Sequence, residues 1–170
     1  TIVSGLESGS WFALLGLAQA RCGAALTGFE VMNALSLALV ARHFPQLAQP
    51  LGPRPWTVLL ELSDSEGEAH ARTQFEGLLE EALERGVIDD AAVAESLAQS
   101  QAMWHLRESI PLAQSEEGLN IKHDIALPVS RIPAFVERCD ALLAERFPGS
   151  RLVDFGHLGD GNLHYNVQAP

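Results

Sequence analysis

The sequence predicts an α+β fold, an antiparallel sheet of ferredoxin-like type with helices packed on one face. Three observations lead there. Strand-like and helix-period runs intermingle without a steady βαβ repeat, no Gly-rich nucleotide loop opens a helix, and there is no internal repeat or low-complexity segment.

The elements follow in chain order. Apolar residues recur at helical spacing from Leu6 to Ala20, with Glu7 and Ser8 near the start and Cys22-Gly23 at the end. Ala24 to Val31 alternates loosely as a strand carrying Phe29-Glu30, and Asn33 to Phe44 is a helix stopped by Pro45. A connector with Pro45, Pro50, Pro53 and Pro55 leads into Trp56-Thr-Val-Leu-Leu-Glu-Leu62, the strongest strand signal. Glu66 to Arg85 is a long amphipathic helix closed by Gly86. Val87-Ile88 reads as a short strand, and Asp89-Asp90 offers an N-cap for a helix over Ala91 to Arg107. Asn120 to Leu127 is a strand closed by Pro128, and Arg131 to Phe147 a helix with Pro133 in its first turn. Arg151 to Phe155 and Leu163 to Val167 are the last strands.

A length of 170 residues suits one domain. The net charge of −11 argues against a nucleic-acid partner, because phosphate backbones need clustered Lys and Arg. Cys22 and Cys139 lie far apart without ligand-spaced neighbours, so inert thiols in a reducing, cytoplasmic setting are expected. The apolar stretch Trp11 to Ala20 is too short to span a bilayer. The chain begins Thr1-Ile2-Val3 without an initiator Met and stops at Pro170 after a strand-like run, the look of an excised fragment.

Chemistry concentrates in Gly156-His157-Leu-Gly-Asp160-Gly161-Asn-Leu-His164-Tyr-Asn166. A two-residue turn on Asp160-Gly161 would set His157 directly opposite His164, with Cβ atoms about 5 Å apart. Phe155 and Asn166 fall on the same face, while Asp154 points to the other. Two imidazoles that close could begin a divalent metal site, zinc above all, which would need a further ligand. They could equally be a cross-strand pair at the surface. Arg107 offers a planar fork for a carboxylate, or a helix-end salt bridge. Lys122 lies on the polar face of its strand, free for an anion or paired with a neighbour such as Asp124. Glu30 could face the same pocket or be a surface carboxylate. Trp11, Trp56 and Trp104 sit in apolar patterns and suit packing. His43, His70, His105 and His123 lack the paired geometry.

The segment His157-Leu-Gly-Asp-Gly-Asn-Leu-His164 resembles the signature of the C-terminal domain of FAD-linked oxidases, a family that includes D-lactate dehydrogenases, the glycolate oxidase flavoprotein subunit and D-2-hydroxyglutarate dehydrogenase. Gly28-Phe-Glu-Val-Met32, Trp104-His-Leu-Arg107-Glu and Lys122-His-Asp-Ile-Ala-Leu-Pro128 agree in order and spacing, so the resemblance covers essentially all of the chain.

It implies a substrate-binding domain of an FAD-dependent dehydrogenase that oxidises D-2-hydroxy acids to 2-oxo acids. His157 and His164 would bind the metal, and Arg107, Lys122 and Asn166 the substrate anion. The FAD would sit on a preceding flavin-binding domain of the same chain. In the family a later Glu-His-Gly motif completes the metal site and supplies the base, so the fragment alone is expected to be inactive. A homodimer is left open. The competing classes are a small-acid sensor of ferredoxin-like fold and a small metal-dependent hydrolase.

Overall fold

The structure is a computed structural model that describes residues 2–6 and 10–170. Its strands are β1 (Ile2–Leu6), β2 (Leu26–Asn33), β3 (Trp56–Leu62), β4 (Asp90–Ala92), β5 (Asn120–Ile121), β6 (Asp124–Ala126), β7 (Arg151–His157) and β8 (Asn162–Gln168). Its helices are α1 (Ser10–Cys22), α2 (Ala34–His43), α3 (Glu68–Glu84), α4 (Leu97–Glu108), α5 (Ile110–Glu117) and α6 (Ile132–Arg146). The strands form one sheet in the order β4-β1-β3-β2-β7-β8-β5, with β6 beside β5 on β8, and every pairing is antiparallel. The α+β class and the antiparallel sheet are as predicted.

Helices, however, cover both faces rather than one. Trp11 and Leu14 of α1, Phe75 and Leu78 of α3 and Val136 of α6 pack with Phe29, Val31, Val58 and Tyr165. Leu39 of α2, Met103 and Leu106 of α4 and Ile110 of α5 pack with Met32, Leu59, Val153 and Phe155. The signal was present in β3. Its residues from Trp56 to Leu60 are all buried, and a strand without alternation needs cover on both sides.

Several boundaries differ for identifiable reasons. The first helix begins at Ser10 instead of Leu6, which belongs to β1; the 7–9 part of that prediction lies outside the described residues. Val87 and Ile88 form no strand, because their N–H groups both donate to Ala82 O and close α3. With Gly86 at φ 64°, this is a Schellman ending. Asp90 does not cap a helix but starts β4, which pairs with β1. The cap of α4 is Ser96, which accepts from Gln99 N at 3.3 Å, while the Gln99 side chain accepts from Glu95 N at 2.6 Å. The single strand predicted over Asn120 to Leu127 is interrupted at Lys122–His123. Helix α5, with Pro111 in its first turn, is an element the periodicity did not reveal.

Candidate functional site

The β7–β8 turn departs from the two-residue hairpin. Leu158–Asp160 forms a 3₁₀ turn, and only Gly161 takes a positive φ, 80°. A Cβ at Gly161 would lie 2.2 Å from Leu127 O, so the position requires glycine on two counts. Leu158 is fully buried and draws the turn into the core. The register therefore slips by two residues: His164 lies opposite Phe155, and Asn166 opposite Val153. His157 instead lies opposite Glu30 on β2. A slip of two preserves the face, so Phe155, His157, His164 and Asn166 remain together. The histidines are diagonal neighbours rather than a directly opposed pair.

Glu30 is the hub of this face. Its side chain is 8% exposed, and its Oε2 accepts from Arg107 Nε at 2.7 Å, with Nη2 in the same ion pair at 2.7 Å. Its Oε1 lies 2.9 Å from His157 Nδ1. The Arg107 guanidinium, 12% exposed, also stacks 4.7 Å above the centre of the Phe155 ring. The His164 imidazole also packs on that ring, tilted by 42°, with 4.8 Å between centroids. His164 Nδ1 meets Asp124 Oδ1 at 2.5 Å. These side chains thus form a continuous row: His157, Glu30, Arg107, Phe155, His164 and Asp124. Each imidazole is oriented through Nδ1 by a carboxylate, an arrangement that leaves Nε2 as the nitrogen free of that bond.

Of the two readings of Arg107, the ion pair is present, with Glu30 of strand β2 as its partner. Its Nη1 has no hydrogen-bond partner among the described residues. Lys122 is exposed, without an ion pair among the described residues, in the gap between β5 and β6. Asn166 is 3% exposed and its amide is engaged at both ends, Nδ2 donating to Gln114 Oε1 at 2.9 Å and Oδ1 accepting from His123 N at 3.0 Å. That side-chain capture of a backbone N–H is what interrupts the strand at Lys122–His123. Asp124 and Gln114 were not singled out for these parts. Asp124 carried a signal, the polar parity it shares with Lys122; Gln114 carried none.

Trp11 and Trp56 pack together in the core with ring centroids 5.8 Å apart, and Trp104 Nε1 donates to Glu61 Oε2 at 2.6 Å. Cys22 and Cys139 are free thiols, each with its pKa raised by burial. His43 pairs with Glu117 and His70 with Asp64, and His123 Nδ1 donates to Tyr165 O. Among the described residues no three His, Cys, Asp or Glu side chains converge as a metal centre, and no helix is long and apolar enough to cross a membrane.

These features define an α+β domain with a row of polar and charged side chains on one side of its sheet. The chain belongs to the family described as FAD linked oxidases, C-terminal domain, whose model matches residues 13–170. It is 36% identical over 151 residues to the mitochondrial D-2-hydroxyglutarate dehydrogenase of Rattus norvegicus, covering 89% of this chain and 28% of that protein. The Arabidopsis thaliana mitochondrial enzyme of the same name is 32% identical over 157 residues, 92% of this chain and 27% of that one. The D-2-hydroxyglutarate dehydrogenase of Stutzerimonas stutzeri is 34% identical over 145 residues, 85% of this chain and 31% of that protein. The chain therefore spans less than a third of the length of these relatives.

Proposed function

We propose that this chain is the substrate-facing domain of an FAD-dependent dehydrogenase that oxidises a D-2-hydroxy acid to the 2-oxo acid. The observation that carries the reading is the row built on Glu30, which holds a cationic fork and two oriented imidazoles on one face of the sheet. Arg107 Nη1 and Lys122 supply positive charge for the substrate carboxylate, and the Phe155 ring keeps the guanidinium plane fixed. Asn166 reaches the anion only by exchanging its bond to Gln114 for the ligand; in the present arrangement it braces the His123 backbone.

The donor set fits a divalent metal in part. His157 and His164 are neutral-nitrogen donors already oriented by carboxylates, which suits zinc, and the further ligand comes from outside the described row. A metal bound there would lower the pKa of the substrate hydroxyl, and a bound flavin would accept the hydride. The domain's own residues bind and orient the hydroxy acid. The flavin would be held by a separate domain of the same polypeptide, and the free thiols fit a reducing compartment.

The test is dye reduction by the full-length product of the reading frame that carries this chain. D- and L-2-hydroxy acids would be compared before and after chelation, with D-2-hydroxyglutarate first in the panel because of the relatives' names. D-selective, chelator-sensitive turnover of a flavin-containing protein is the expected result. A colourless product without such turnover would return the chain to a small-acid sensor.

A further inference from the structure

Glu30 bonds two groups of different kinds at once, and the chemistry of each dictates the other. A guanidinium can only donate, so its Nε bond to Oε2 requires an acceptor there. A carboxylate held in that ion pair is an acceptor at Oε1 as well, so the bond to His157 must be donated by Nδ1–H. A neutral imidazole carrying its proton on Nδ1 has a bare lone pair on Nε2. Nε2 lies beside the β7–β8 turn: a Cβ built on Gly159 would come within 3.2 Å of it, a contact that the glycine spares it.

We propose that Glu30 is a positioning residue that sets the His157 tautomer, so that the Arg107 anion fork and the metal-facing nitrogen of His157 are tied together through one buried carboxylate. The inference rests on the function proposed above for its purpose, but its physical content is a proton position. It can be read in the chain without flavin, substrate or turnover. The proposal can therefore fail while the dehydrogenase reading stands, and the reverse also holds.

Glu30→Gln is the discriminating change. The Gln carboxamide has one acceptor and one donor group, and Arg107 takes the acceptor. The NH₂ must then face His157 Nδ1, which moves the ring proton to Nε2 and blocks its lone pair. The experiment is a long-range ¹H–¹⁵N spectrum of the ¹⁵N-histidine-labelled chain, about two pH units above the ordinary imidazole pKa near 6.5. The His157 signal is assigned from its loss in His157→Gln. The unaltered chain is expected to show the Nδ1–H form and folded Glu30→Gln the Nε2–H form. Zn²⁺ titrated into the two proteins should bind the variant about 10–100-fold more weakly. An Nε2–H signal in the unaltered chain would overturn the proposal, as would an unchanged Nδ1–H signal in the folded variant. Should the variant not fold, the spectrum of the unaltered chain still decides the matter.

Discussion

His157 and His164 are both held at Nδ1 by a carboxylate, yet the two carboxylates live in different surroundings. Glu30 is 8% exposed, comes from a central strand and is shared with Arg107; Asp124 is 73% exposed and comes from a short edge strand. Around the Glu30–Arg107 pair little water enters, so that bond has little alternative and a missing partner leaves a charge stranded. Around Asp124 water and salt compete for every bond. One histidine is therefore built into the fold, and the other is only steered.

The contrast is broken most directly by Glu30→Ala. Arg107 would keep its buried charge without a counter-ion, and urea denaturation should show a loss of about 3–5 kcal/mol. A loss below 1 kcal/mol would mean that the Glu30 pair is no more structural than a surface bridge.

Glu117 sharpens the comparison from the other end of the sheet. Hydrogen bonds from Arg151 and His43, with Arg42 nearby, hold its carboxyl down to about 2 from the usual 4.5. A depressed folded pKa means that the contribution is fully present above pH 4.5 and is lost as pH falls from 4.5 towards 2. Urea midpoints across that range should fall steeply in the unaltered chain and less in Glu117→Gln.

Asp154 is buried, with Oδ1 unpartnered among the described residues. Burial, and then the neighbouring Asp140, raise its pKa well above 3.8. The sign is opposite to that of Glu117: stability is greatest below pH 3.8 and is lost as pH rises towards the folded pKa. Asp154→Asn should raise the Tm at neutral pH by about 2–4 °C, the shift about 1 kcal/mol gives in a chain of this size, and should flatten that slope. An unchanged Tm would show that Asp154 is accommodated as the anion.

The smallest change is expected for Asp124→Ala, less than about 1 kcal/mol in the same urea assay, because an exposed pair contributes little. Its effect belongs to Zn²⁺ affinity, where loss of an orienting carboxylate weakens binding. A large stability loss with unchanged Zn²⁺ binding would reverse the comparison.

Much of the fold was legible because local rules govern it. Asn33 caps α2 through Ser36 N, Pro133 opens α6, and β3 spans Trp56–Leu62 as its composition indicates. The misreadings fall where backbone N–H groups had two possible partners. Val87 and Ile88 look like a strand but close a helix, and the His123 N–H goes to a side chain instead of the sheet. In the candidate site, the residue types and the shared face of Phe155, His157, His164 and Asn166 were readable.

The sequence by itself determined which side chains share a face, since strand parity survives any even slip in register. It also indicated the family, through the eight residues from His157 to His164. Only the tertiary structure decided which groups meet. The buried Leu158 drew the turn inward and moved His157 from His164 to Glu30, 127 residues earlier. That partnership depends on β2 and β7 lying side by side, and strand order in a sheet follows from how both of its faces are covered, which no local pattern encodes.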